Sequence, residues 1–312
     1  MSLTPQATAV SRASSLCRRW VVRGGLLLLL AVACVATPLI IATIELERCV
    51  RTTDISYADG ARRKLDVYRP RAAADAPVIV FFYGGRWLSG TKAWYQLLAA
   101  ALTARGYVVV VPDYRLYPEV RFPDFLVDGA KALRWTHDNA AILGGDPQRL
   151  FVMGHSAGAH IAAMLALDPQ WLDGVGLNAA RDIAGLIGIS GPYDFLPLRD
   201  PTLVDIFGGA DRAETQPISF AEGRKSPALL VTGDADKVVS PGNSTRLADR
   251  LRHNGNEATE VIYRRLGHMT VLAGFAPLLS SFLPILTDVE AFVARVRPGT
   301  PRVVSHVGAA TP

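Results

Sequence analysis

Leu150-Phe151-Val152-Met153-Gly154-His155-Ser156-Ala157-Gly158-Ala159-His160 is the stretch whose reading decides the fold. A short apolar run ends in Gly-His-Ser-Ala-Gly, and a small-residue helical pattern over 159–167 follows at once. A serine between glycines at such a junction is a G-x-S-x-G nucleophile elbow, a sharp strand-to-helix turn that lifts the hydroxyl above the end of the sheet. Glycine is needed on both sides because strand and helix backbones approach too closely there for a Cβ. The helix that opens after Ser156 points its free N–H groups at the same spot, which makes the Ala157 N–H a candidate oxyanion donor. The motif alone arises by chance. Its strand-turn-helix setting and its partners elsewhere in the chain give it weight.

Outward from the elbow, strands and helices alternate. Residues 77–83 form a continuous apolar run, as expected of a strand buried on both faces of a parallel sheet, and the run ends at Gly84-Gly85. A helical pattern over 93–105 stops at Gly106, and a second buried strand follows over 107–111. A Pro-rich loop leads into a long amphipathic helix over about 125–143, closed by Gly144-Gly145, and the elbow strand begins after Asp146-Pro147. Beyond the elbow helix the pattern predicts strands at 183–189, 227–231 and 259–263, with helices at 243–253 and 284–297. Upstream, the alternation over 64–68 suits an early half-exposed strand. Such alternation implies right-handed crossovers and a mostly parallel sheet with helices on both faces. The stretch 191–226, rich in Pro, Asp and aromatics, reads as an irregular lid over the site.

With 312 residues, half of them apolar and a fifth charged, the chain suits one large globular domain, expected at 51–297, plus an appendage. The net charge of +5 traces largely to Arg12, Arg18, Arg19 and Arg23, in a segment without acids. No basic stripe with interleaved aromatics is present elsewhere, so no nucleic-acid partner is expected. Cys17, Cys34 and Cys49 all fall in the first fifty residues, which excludes a thiol nucleophile or a cysteine zinc site in the catalytic region. Residues 24–44 carry no charge and are long enough to cross about 30 Å of hydrocarbon as a helix. They read as a transmembrane anchor after a basic cytoplasmic segment at 1–23, with a cleaved signal or lipid attachment as the competing reading. The arginines before the span favour a cytoplasmic N-terminus, so that the catalytic domain would face the periplasm or extracellular space. The tail at 298–312 lacks periodicity and is expected to be disordered.

In this architecture the loops at the carboxyl ends of the strands converge. The loop after Val231 carries Asp234 and Asp236; Asp236 is the expected acid and Asp234 its rival. The loop after the final strand sets down His268 behind Gly267, in the chain order Ser, Asp, His. His137, His253 and His306 read as ordinary histidines. Ser156 would attack an acyl carbon, His268 would take and return the proton, and Asp236 would hold the imidazole. Further oxyanion donors are expected from the Gly84-Gly85-Arg86 turn. Trp87, Tyr193, Phe195, Leu196 and Phe207 read equally well as lining a substrate pocket or as ordinary core packing. Arg86 is placed to pair with an acidic substrate group, while His155 and His160 are expected to pack or cap locally.

Together these residues resemble the α/β-hydrolase superfamily from about residue 53 to 297. Within it the chain is similar to the esterase branch that holds hormone-sensitive-lipase-like carboxylesterases, arylformamidases and prenylcysteine methylesterases. Tyr83-Gly84-Gly85-Arg86-Trp87 stands where that branch carries His-Gly-Gly-x-Trp. Asp113-Tyr114-Arg115-Leu116-Tyr117-Pro118-Glu119, then Phe122-Pro123 and Asp128, match its Asp-Tyr-Arg-Leu-x-Pro-Glu loop and sequel. The Gly-His-Ser-Ala-Gly-Ala-His run is closer to the arylformamidase and methylesterase side. Tyr83 departs from the pattern, since the branch uses a histidine there to brace the oxyanion loop. The resemblance implies an α/β-hydrolase fold with a short lid, no metal or organic cofactor, and a serine hydrolase acting on small or medium carboxylic esters through an acyl-enzyme. An amidase or arylformamidase on the same triad stays open. A non-catalytic binding module would be marked by loss of Ser, His or Asp, and all three are present. The expected partner is a small-molecule ester; the oligomeric state is left open.

Overall fold

The computed structural model describes residues 48–276, 279–280 and 282–296. Its centre is an eight-stranded sheet in the order β1-β2-β4-β3-β5-β6-β7-β8. The strands are β1 (Cys49–Ser56), β2 (Lys64–Pro70), β3 (Ala76–Phe82), β4 (Val108–Pro112), β5 (Gly145–His155), β6 (Gly185–Ile189), β7 (Ala228–Gly233) and β8 (Ala258–Tyr263). β2 runs antiparallel to β1 and β4, and all other neighbours are parallel. The central strands bury almost every residue, which is why they read as unbroken Val, Ile, Leu and Phe runs. β5 lies at the middle of this order, so its carboxyl end is where ligands bind in open α/β sheets.

Every residue of the Ala157–Leu167 helix is buried, because it packs behind the elbow instead of along the surface. The helices Gln96–Thr103, Asp124–Asn139, Gly242–His253 and Ile285–Arg295 each turn an apolar stripe inward. The Asp124–Asn139 helix ends four residues before its periodicity suggests. Gly144 takes φ +81° with a Cβ position only 2.5 Å from the Ala73 carbonyl, so the chain must turn there.

Other differences have equally local causes. β1 escapes a pattern reading because Arg51 to Asp54 are exposed at the sheet edge and its register with β2 shifts between Thr52 and Ile55. β2, expected to be half-exposed, buries Leu65, Asp66, Val67 and Tyr68. The Asp66 carboxylate is tolerated there because Lys92 Nζ lies 2.7 Å away and Arg51 3.3 Å away. The stretch 191–226 is not wholly irregular: it holds the helix Pro201–Phe207 and 3-10 turns at Ala213–Thr215 and Pro217–Phe220. The Asp200 side chain caps that helix by accepting the Thr202 and Leu203 N–H groups at 2.8 and 3.2 Å.

The expectation of a transmembrane helix is corrected. Among the described residues no helix is long and apolar enough to cross a membrane. The most apolar one, Ala157–Leu167, has 11 residues and would span about 16 Å, roughly half of a bilayer's hydrocarbon core. The span at 24–44 lies outside the described residues, as do the basic segment 1–23 and the tail 298–312. The membrane partner, the single-pass placement and the outward-facing catalytic domain are withdrawn with it.

Candidate active site

Ser156 stands between β5 and the Ala157–Leu167 helix with φ 55° and ψ −124°, a left-handed backbone that a non-glycine residue adopts only where its surroundings impose it. The Ser156 N–H bonds the Ile189 carbonyl at 2.9 Å. A Cβ on Gly154 would lie 2.2 Å from the Gly158 carbonyl oxygen, and one on Gly158 would lie 2.0 Å from that of Phe82. Both glycines are therefore required by the close approach of helix and sheet.

The loops after β7 and β8 bring the other two groups to the serine. His268 Nε2 lies 2.8 Å from Ser156 Oγ, and His268 Nδ1 lies 2.8 Å from Asp236 Oδ2. Asp236 Oδ1 accepts the Val238 and Val239 N–H groups, each at 2.9 Å. Burial works to raise the Asp236 pKa, but the Val239 N–H, His268 and the Val238 N–H outweigh it and hold the carboxyl below the ordinary carboxylate range. An ionised carboxylate only accepts, so Nδ1 of His268 carries the proton and Nε2 offers its lone pair to the serine hydroxyl. Asp234 faces elsewhere: it accepts the Arg265 N–H at 2.5 Å and so ties the β7 loop to the turn before His268.

The turn at Gly84-Gly85-Arg86 folds tightly against Ser156. A Cβ on Gly84 would come within 2.9 Å of the Ser156 Cβ, and Gly85, at φ +136°, would place one 2.0 Å from the Ser89 carbonyl. Arg86 and Trp87 follow with φ 57° and 60°. Tyr83 supplies a brace by another route than a histidine. Its hydroxyl donates to Asp113 Oδ1 at 2.7 Å and accepts from Arg62 at 2.8 Å, while Arg62 also donates to the Gly90 carbonyl at 2.8 Å. Its ring stacks between Tyr95 and Tyr114, at centroid distances of 5.8 and 4.7 Å. Ala157, the first residue of the elbow helix, is buried beside the same loop.

A cavity of about 400 Å³ lies beside Ser156, and its lining includes Arg86, Trp87, Ala157, Phe195, Leu196 and Val238. Of the four aromatics considered from the sequence, Trp87 and Phe195 line it. Phe207 packs in the core edge-on to Trp87 at 4.8 Å, and Tyr193 is wholly buried against Gly188 and Gly191. The Arg86 side chain is engaged by Asp200 at 2.7 Å. His160 Nε2 donates to the Thr215 carbonyl at 2.8 Å and thereby ties the elbow helix to the segment that covers it. His155 Nε2 donates to the His268 carbonyl at 3.0 Å. Burial pushes both His155 and His160 down to about 4, so both are neutral at pH 7. Among the described residues no group of three or more His, Cys, Asp or Glu is arranged to hold a metal ion.

Sequence reasoning missed the support beneath the site. Asp128, fully buried, accepts from Arg63 at 2.9 Å and from the Arg115 side chain at 2.8 and 2.9 Å. Its Oδ2 also accepts the Arg115 N–H at 3.0 Å, which pins the loop that runs on to Tyr117 and, through it, to the Pro201–Phe207 helix. Tyr117 and Arg121 both hold Asp205 of that helix, at 2.7 Å and at 2.9 to 3.0 Å. The sequence did place Arg115 and Asp128 in the motif shared with the esterase branch, but nothing in their spacing showed that the two would pair.

This fold, with a serine at the elbow and His268 and Asp236 in line with it, defines an α/β-hydrolase with a serine-type site. The BD-FAE family profile matches residues 65–251, more than half of the chain, and the protein belongs to that family. The chain is similar to the isoprenylcysteine alpha-carbonyl methylesterase of Arabidopsis thaliana, at 30% identity over 241 residues, covering 69% of this chain and 55% of that protein. It is also similar to a probable isoprenylcysteine alpha-carbonyl methylesterase of Oryza sativa subsp. japonica, at 31% identity over 274 residues, covering 79% of this chain and 63% of that protein. The chain thus spans between about half and two thirds of the length of these curated relatives. The sarin-phosphonylated esterase 2 of Thermogutta terrifontis shares the fold, with a TM-score of 0.68 at 23% identity over 79% of this chain and 96% of that one.

Proposed function

We propose that the protein is a serine hydrolase that cleaves carboxylic esters of small or medium size through Ser156, His268 and Asp236. The observation that carries this reading is the pair of 2.8 Å contacts joining Ser156 Oγ to His268 Nε2 and His268 Nδ1 to Asp236, with Ser156 lining a cavity of about 400 Å³. In this reading His268 takes the hydroxyl proton as Ser156 Oγ bonds to the acyl carbon, and the tetrahedral oxyanion faces the N–H groups of Ala157 and the Gly84-Gly85-Arg86 turn. His268 then returns the proton to the departing alkoxide oxygen, leaving an acyl-enzyme. Water enters by the reverse sequence, giving up a proton to His268, and releases the acid. Asp236 keeps the imidazole in the required tautomer and offsets its charge while it is protonated. The names of the plant methylesterases support ester over amide chemistry, and the cavity volume falls within the range of small-molecule sites.

Hydrolysis of p-nitrophenyl acetate, butyrate and octanoate by the full chain, beside its Ser156→Ala variant, tests the proposal. The expected result is turnover of the short esters that falls by about 10⁵-fold or more in kcat in the variant. A folded wild-type protein that turns over none of them would overturn it.

A further inference from the structure

Three arginines are among the residues that line the cavity beside Ser156: Arg86, Arg199 and Arg246. Two are neutralised in place. Arg86 Nη2 lies 2.7 Å from Asp200 Oδ2, and Arg246 pairs with the Asp194 carboxylate while donating to the Asp194 carbonyl at 2.8 Å. Arg199 has neither hydrogen bond nor ion pair with any described residue, although it is exposed and lies next in the chain to Asp200. The Asp200 carboxylate is turned away from it, with one oxygen capping the Pro201–Phe207 helix and the other on Arg86.

The stem that carries Arg199 is fixed on both sides. Leu198 is buried, with its N–H on the Ala210 carbonyl at 2.7 Å, and Asp200 is held by its helix cap. A free guanidinium therefore stands on a rigid segment in a wall that is otherwise mostly apolar, built from Trp87, Phe195, Leu196, Leu203 and Val238. Among the lining residues Asp194 is the one carboxylate, and it already has Arg246, so the wall carries one uncompensated positive charge. Low-dielectric walls strengthen the field of such a charge inside a cleft. A guanidinium offers planar, paired donors that match a carboxylate.

We infer that Arg199 selects esters whose acyl chain is apolar but ends in a carboxylate, with the chain lying against Trp87 and Phe195 and the terminal anion on Arg199. This inference rests on the serine-esterase reading and names a substrate class for it. The scissile ester is cleaved as described above, and the terminal carboxylate takes no part in bond making or breaking.

The test compares p-nitrophenyl hydrogen suberate with neutral p-nitrophenyl octanoate, which has the same chain length, in the wild-type full chain and in Arg199→Gln, Arg199→Lys and Arg224→Gln variants. Arg224 is exposed and lies outside the cavity, so its variant controls for net charge alone. In Arg199→Gln the ratio of kcat/KM for the hemiester to that for the neutral ester should fall by about five- to tenfold, mainly through KM. Lysine should restore part of it, and added NaCl should shrink the wild-type ratio because the contact is partly exposed. Arg224→Gln should keep the wild-type ratio. An unchanged ratio in Arg199→Gln, or an equal loss on both esters, overturns the inference. Absence of turnover on both esters in folded wild-type protein counts against the esterase reading instead. Binding of the two esters to Ser156→Ala protein then decides the matter for Arg199: hemiester binding that weakens on adding Arg199→Gln supports it, and binding that does not weaken overturns it.

Discussion

At the scale of single residues, the site depends on which group faces which nitrogen of His268. Asp236 holds Nδ1 at 2.8 Å and keeps its charge through two backbone N–H groups. An Asp236→Asn variant should fold normally, yet its amide can steer the imidazole into the wrong tautomer, so kcat on p-nitrophenyl butyrate should drop by about 10⁴-fold. Asp234→Asn, two residues earlier, loses only acceptor strength toward the Arg265 N–H and should change kcat by less than about tenfold, as expected of a group that acts on the loop and not on the proton transfer. Steady-state rates of the two variants side by side decide between the aspartates, which the sequence left as rivals. His160→Gln, whose amide can still donate to the Thr215 carbonyl, should likewise slow turnover far less than His268→Ala.

The elements are held to one another by charge pairs that no periodicity reveals. Asp128, on the Asp124–Asn139 helix, joins that helix to Arg63 just before β2 and to Arg115 in the loop after β4. Removing one partner of a buried pair leaves the other charges uncompensated. Since the two arginines keep just under a fifth of their side-chain exposure, the low end of the usual cost applies: Asp128→Ala should destabilise by about 3 kcal/mol. For a domain of this size that corresponds to a fall of roughly 10 °C in melting temperature. Asp138→Ala, which breaks the exposed i,i+4 pair with Arg134, should shift stability by less than about 0.5 kcal/mol. Thermal unfolding of both variants checks the contrast, and a comparable shift in the two would show that Asp128 does not act as a buried tie.

For the molecule as a whole, the neutral histidines beneath the site set how stability responds to acid. His155 and His160 titrate near 4 when folded, against an ordinary value of 6.5. The unfolded chain therefore binds protons first as pH falls. Their contribution is fully present above about pH 6.5 and is lost progressively toward pH 4, by an amount on the order of 3 kcal/mol for each. Urea unfolding between pH 7.5 and 4.5 should show stability declining with acid, and His160→Gln should flatten the slope by up to one proton. A slope that is the same in wild type and variant would mean that His160 is not held neutral.

Much of this protein was legible in its order of residues. A short run of apolar, mostly β-branched and aromatic residues such as Pro77 to Phe82, ending at a glycine pair, suits a strand covered on both faces, and the glycines around Ser156 have meaning only where a helix presses on a strand. Those local constraints determine an α/β sheet with a serine at its elbow, because they act between neighbours in the chain. The exposed and bulged β1, the docking of the short helix Pro201–Phe207 through Asp205 to Tyr117 and Arg121, and the buried charge of Asp66 were not legible, since each depends on partners far away in sequence. The same holds for the site. The chain order offered Ser156, two aspartates and His268 on separate loops, but only the packing of β7 against β8 turns Asp234 toward Arg265 and Asp236 toward the imidazole. Tertiary structure alone decided that Trp87 and Phe195 face the cavity while Tyr193 and Phe207 fill the core. It likewise decided that Arg86 is held by Asp200 while Arg199 has no partner among the described residues: the direction of a side chain and the choice of its partner depend on contacts across the fold that sequence spacing does not encode.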